Sequence, residues 1–154
     1  MDIAGSRGWL AAVAALVTAF GLATVPAQAE DFPQADKVVV DKTGRKLHLL
    51  REGAILRSFD VALGADPVGD KQMEGDQKTP EGTYTLDARK PDSDFFLSIH
   101  VSYPDSAKRN DARGRGIDPG GAIMIHGQPN VPTYSSGYYQ STDWTNGCIA
   151  VSNS

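Results

Sequence analysis

From Lys37 onward apolar and polar residues alternate with the period of strands, and no stretch carries the three-to-four-residue spacing of an amphipathic helix. Lys37-Val38-Val39-Val40 leads through Asp41-Lys42-Thr43-Gly44 into Arg45-Lys46-Leu47-His48-Leu49-Leu50. Two strand runs joined by a turn-forming tetrapeptide predict a hairpin. His48 is flanked by Leu47 and Leu49, which places it on the opposite, solvated face. A third strand is predicted over residues 54–61, with Ile55, Phe59 and Val61 on one face and Arg57 as the exception. Residues 64–78, rich in Gly, Asp and Lys, read as a surface loop, after which Pro80 and Gly82 set a turn into a strand over 83–89. Residues 95–102 alternate, with Phe95, Leu97, Ile99 and Val101 inward and Phe96, Ser98, His100 and Ser102 on the other face. A further strand over 121–126 puts Ile123 and Ile125 on one face and Ala122, Met124 and His126 on the other. The pattern predicts one mainly β domain.

Between these strands lie two loops with chemical content. Residues 106–119 carry Lys108, Arg109, Arg113 and Arg115, either as a solvated basic loop or as a lid whose guanidinium groups meet the carboxylates of an acidic peptide. Residues 128–143 contain Pro129, Pro132, Gly137 and the pair Tyr138-Tyr139, a composition that suits a substrate wall and equally a cap on the core. Trp144 is expected to pack beneath the segment that follows it.

The first 29 residues follow a different pattern. One basic residue, Arg7, precedes an apolar run over 9–20, and Ala27-Gln28-Ala29 supplies small residues at the spacing of a cleavage site. This is the order of a secretory signal peptide, with a retained membrane anchor as the alternative. Cleavage would leave residues 30–154 as an exported domain with no stable membrane insertion. A net charge of −4 argues against nucleic acid as partner. The single cysteine can form no internal disulfide, and an oxidising compartment disfavours an idle exposed thiol.

That cysteine, Cys148, and His126 at the end of its apolar run are the candidate nucleophile and base. Taken singly, a lone Cys is commonly a small buried hydrophobe and a lone His a hydrogen-bonded polar residue. Their settings favour chemistry: His126 stands where a strand gives way to Gly127, and Gly147 before Cys148 permits a tight turn whose amides can face a carbonyl oxygen. Such a thiol is expected to titrate below a free one. His100, on a polar strand face, is a second histidine for the site or a surface residue. A metal site from His100, His126 and Cys148 would lack short ligand spacing and a fourth member, so no metal or other cofactor is expected.

These residues resemble the signature of the L,D-transpeptidase catalytic domains of the YkuD type. The matches are His126, Gly127, Thr145, Gly147, Cys148 and Asn153, with Asp143 to Val151 reading like one branch of the family. Asn146 stands where the family often has His, and Ala150 where many members carry Arg. Upstream, Gly69-x-Lys71, Gly75-Asp76 and Thr79-Pro80-x-Gly82-x-Tyr84 look like the family's corresponding segment. The resemblance implies a β-sandwich of mixed sheets over residues 30–154. It also implies a domain that continues beyond Ser154, because relatives add a short helix and a closing strand. It further implies cysteine acyl transfer on peptidoglycan stem peptides in the periplasm or cell envelope. Cys148 would be acylated, His126 would serve as base and then acid, and the amides of Gly147 and Cys148 would hold the oxyanion. Tyr138, Tyr139, Thr145, Asn146 and Arg113 would meet substrate. The acyl acceptor would be a second stem or a lysine of an envelope protein. With water instead, the site would be a hydrolase or carboxypeptidase, and without catalysis a wall-binding module.

Overall fold

The computed structural model describes residues 33–154, and the predicted signal peptide lies outside the described residues. Two sheets form the domain. β1 (Lys37–Asp41), β2 (Lys46–Arg51) and β3 (Ala54–Asp60) make an antiparallel meander, as the alternation over 37–61 predicts. β4 (Leu86–Ser93), β5 (Phe96–Val101), β6 (Met124–His126) and β7 (Ile149–Ala150) follow in that order in the second sheet. Its first three strands are antiparallel and β6–β7 is parallel, so the sheet is mixed.

The core is where the inward residues of both sheets meet. Leu47, Val61, Leu63, Val101, Tyr103, Ile123 and Ile149 are buried together, with Val38, Val40, Leu49, Phe59 and Ile125 packed against them. Leu63 and Ile123 are the largest fully buried apolar side chains, 0% and 2% exposed, so truncating either would leave a cavity costing on the order of 2–5 kcal/mol. The segment after β3 stitches the sheets together. Ala62 and Ala150 exchange backbone hydrogen bonds of 2.9 and 2.8 Å, and Thr145 N–H donates to Leu63 O at 3.1 Å.

Four details depart from the expected pattern. Residues 106–119 are not simply a loop: α1 (Ser106–Arg115) opens with Asp105 accepting from Lys108 N–H at 2.8 Å and stops at Gly116 in the left-handed conformation. Ala112 is its only buried residue, so no apolar stripe was present to announce it. α2 (Ser136–Ser141) interrupts the second loop, capped by Ser135. The strand expected over 83–89 instead runs from Leu86 to Ser93. A bulge beside Leu49 and Leu50 pairs Ile55 with Leu50, and Ile55 leaves the core face to become 58% exposed.

The alternation over 95–102 holds only at its far end. Val101 is buried, whereas Leu97 is 53% exposed and Ser98, expected outward, is 5% exposed. Ser98 lies opposite His126 in the register, so it is covered along with the histidine. His48 faces outward as predicted, with Nδ1 2.7 Å from the Ser58 hydroxyl.

Candidate active site

The site is assembled by β6 and the turn that enters β7. Parallel pairing sets Ile125 beside Ile149 and His126 beside Ala150. Cys148, one residue before β7, is thereby placed beside Met124. Its Sγ accepts a hydrogen bond from Met124 N–H at 3.4 Å and lies 3.7 Å from Ala122 O, to which the thiol donates. Met124 and His126 both lie on β6, so the amide that meets the sulfur and the imidazole are carried by one strand.

The turn is folded by Thr145. Its hydroxyl donates to Cys148 O at 2.8 Å and accepts from Gly147 N–H at 3.1 Å. Gly147 has φ +120°, and a Cβ there would stand 2.7 Å from Lys78 O, so conformation and space both require glycine. Gly147 N–H is already engaged by Thr145, so it could meet an oxyanion only by giving up that bond. Asp143 ties the turn to the first sheet: it accepts from Leu63 N–H at 2.8 Å and forms a salt bridge to Arg45 at 2.7 Å.

His126 is 5% exposed, and its Nδ1 lies 2.7 Å from Gly127 O. A carbonyl oxygen only accepts, so Nδ1 carries the hydrogen and Nε2 of the neutral ring holds the lone pair. Aromatic rings fix the imidazole plane: Phe95 at 4.7 Å between centroids and Trp144, edge-on, at 5.6 Å. Trp144 is itself held by Nε1–H donation to Tyr139 O at 3.1 Å. It therefore packs against the histidine as well as beside the cysteine turn.

The electrostatics correct one expectation. Burial pushes the Cys148 thiol above its ordinary value, with Met124 N–H and Lys71 pulling the other way. Burial likewise pushes His126 below its ordinary value, opposed by its hydrogen bond to Gly127. The resting pair is a neutral thiol and a neutral imidazole, rather than a preformed thiolate with its counter-ion. Such a pair can still do nucleophilic chemistry, because the base takes the proton as the thiol attacks.

The other candidate residues divide by burial. Tyr139 is buried, its hydroxyl accepting from Thr133 N–H at 3.0 Å and Tyr134 N–H at 3.3 Å, and Thr145 is buried within the turn. Asn146 is exposed on the turn, and half-exposed Tyr138 stacks on Tyr134 at 4.4 Å. Arg113, in the last turn of α1, lines an open cleft of about 570 Å³ with Arg109 and residues 116–120. A second cleft of about 250 Å³ lies among Lys71, Tyr103 and Lys108. Neither cleft is lined by His126 or Cys148. His100 is paired with Asp87 at 2.6 Å, and among the described residues no three His, Cys, Asp or Glu side chains come together as a metal site. Phe95 and the Met124 amide join the site without any signal in the linear pattern, because strand pairing alone brings them there.

Residues 35–154 match the family model for the YkuD L,D-transpeptidase catalytic domain. The chain belongs to that family. The putative L,D-transpeptidase YafK of Escherichia coli K12 is 33% identical over 75 residues, which cover 47% of this chain and 28% of YafK. The helical cell shape determining protein Pgp2 of Campylobacter jejuni superposes with a TM-score of 0.56 at 28% identity, over 75% of this chain and 39% of Pgp2. A K307A mutant of Pgp2 gives 0.54. The chain thus spans well under half the length of these relatives. Its two sheets and mixed pairing are those expected of the YkuD β-sandwich.

Proposed function

We propose that this YkuD domain is a cysteine acyltransferase acting on peptidoglycan stem peptides. The observation that carries the reading is the fixed imidazole tautomer on the strand that also donates its Met124 N–H to the Cys148 sulfur. In the first step Sγ attacks the carbonyl joining a diamino acid to the terminal D-Ala, and the thiol proton passes to His126 Nε2. The Cys148 amide receives the developing oxyanion. The C–N bond then breaks, His126 returns the proton to the departing D-Ala amine, and a thioester remains on Cys148. An amine from a second stem, or from a lysine of an envelope protein, attacks the thioester and gives its proton to His126, the C–S bond breaks as the new amide forms, and His126 returns the proton to the Cys148 sulfur. The leader predicted over residues 1–29 would deliver the domain to the periplasm or cell envelope, where these substrates are. Among the described residues no helix is long and apolar enough to cross a membrane.

Tyr138, Asn146 and Arg113 are the exposed groups proposed to meet substrate. Tyr139 and Thr145 would act from within, by holding the loop and the turn. The test is to incubate the protein with a disaccharide-tetrapeptide and excess amine acceptor, and to resolve the products by mass. A covalent adduct on Cys148 and a product amidated by the acceptor are expected, and both disappear in Cys148→Ala. Tripeptide as the sole product, indifferent to acceptor concentration, would reassign the site to a hydrolase. Binding of wall material unchanged in Cys148→Ala, without any product, would reassign it to a wall-binding module.

A further inference from the structure

Lys71 is buried beside this site, 3% exposed, and the acyl-transfer scheme gives it no role. An ammonium is tolerated in such a place only where partners replace its water. Here Nζ donates to Asp76 Oδ1 at 2.8 Å and to Met73 O at 3.0 Å. Asp76 in turn accepts from the amides of Gln72, Met73 and Lys78. The pair therefore folds the 71–78 loop around itself, and that loop bears on the thiol from two directions. A Cβ at Gly120 would stand 3.4 Å from Lys71 Cε, and two residues further on Ala122 O receives the Cys148 thiol. From the other side, Lys78 O packs against Gly147, the residue before Cys148.

Other charged groups surround the turn: Glu74 backs onto Gly120, Asp118 accepts from Gly120 N–H at 2.8 Å, and several more are held in ion pairs. Asp143 is bound by Arg45, Lys78 by Asp66 at 2.7 Å, and Lys108 by Asp70. His126 on β6 is kept neutral by burial. Lys71, itself paired with Asp76, is the cation whose field reaches Cys148 and favours its ionised form. In a low-dielectric patch such a field acts over several ångströms with little screening.

We propose that Lys71 is a positioning residue for the nucleophile: its buried ammonium stabilises the Cys148 thiolate as it forms, while Asp76 holds the ammonium in place and tempers its field. The inference rests on Cys148 being the nucleophile. It separates from a purely structural ion pair because the two partners carry opposite charges. A structural pair predicts that losing either member disturbs the thiol in the same direction, whereas the field predicts opposite directions.

The experiment is the pH profile of Cys148 alkylation by iodoacetamide, in which the thiolate displaces iodide, measured on the full chain and on Lys71→Met, Lys71→Arg and Asp76→Asn. Lys71→Met is expected to move the midpoint up by about one pH unit, slowing alkylation roughly tenfold below it. Lys71→Arg should recover the rate to within about threefold, and Asp76→Asn should move the midpoint down. A Lys71→Met profile that superimposes on the wild type, or both neutral variants shifting the same way, would overturn the proposal. Should Lys71→Met fail to fold by circular dichroism, Asp76→Asn decides alone: a midpoint at or above the wild type overturns it. Alkylation needs no stem peptide, so variants that shift as expected beside a wild type that forms no thioester would overturn the transferase reading and leave only the coupling of Lys71 to the Cys148 thiol standing.

Discussion

The turn carrying Cys148 and the helix α1 hold their places by opposite means. The turn is fixed mainly by close backbone contacts: Thr145 bonds Gly147 N–H and Cys148 O, Gly147 presses on Lys78 O, and Asp143 accepts from Leu63 N–H. The helix buries one alanine and is otherwise tied down by its Asp105 cap, the Lys108–Asp70 salt bridge and an Arg115–Gln72 hydrogen bond. Close-packed backbone contacts are lost with a displacement of a fraction of an ångström, whereas side-chain pairs that still reach water, such as Lys108–Asp70, re-form more readily. Rigidity is thus concentrated at the turn that carries Cys148, and the adjustable element borders the clefts.

The largest effect that should follow from this contrast is that of Gly147→Ala. The new methyl would need both a left-handed backbone and the space held by Lys78 O, and a loss of about 3 kcal/mol or more is expected in denaturant unfolding. A change below about 0.5 kcal/mol would mean that the turn is no stiffer than the helix.

The loop between the two regions gives a smaller effect, read in acid. Burial alone would raise Asp76, but the Lys71 ammonium and the amides of Gln72, Met73 and Lys78 prevail and hold it at about 2, against 3.8 for the free group. A depressed native value means that the stabilisation is fully present above the unfolded value and is lost as pH falls through the native one. Wild-type stability should therefore drop by about 2 kcal/mol between pH 5 and pH 2 from this group, and Asp76→Asn should lack that part of the acid limb. Acid limbs of equal depth in the two proteins would show the pair to be open to water.

The smallest effect belongs to the helix. Asp105→Ala removes the cap on Lys108 N–H and is expected to cost about 1 kcal/mol, while the alkylation profile of Cys148 stays that of the wild type. A shift in that profile would show that the helix and the turn are one mechanical unit after all.

The candidate site could be picked out before any coordinates because its proposed key residues are marked locally. His126 ends an apolar run at a glycine, and Gly147 announces a turn before the only cysteine. The sheets were legible for the same reason, since period-two alternation records which face of a strand is covered. The helix α1 was not, because its stability resides in caps and ion pairs that leave no apolar period. Ser98 and Leu97 read inverted for a related reason: alternation cannot say where along a strand the cover ends. Sequence by itself determined the strand-rich domain, the thiol and the imidazole, because those depend on residue type and near neighbours. Only the tertiary structure decided that Lys71 is buried next to the turn, that Phe95 and Trp144 clamp His126, and that thiol and imidazole rest neutral. Burial and pairing between distant segments set the local dielectric and the orientation of each group, and neither is written in any stretch of chain alone.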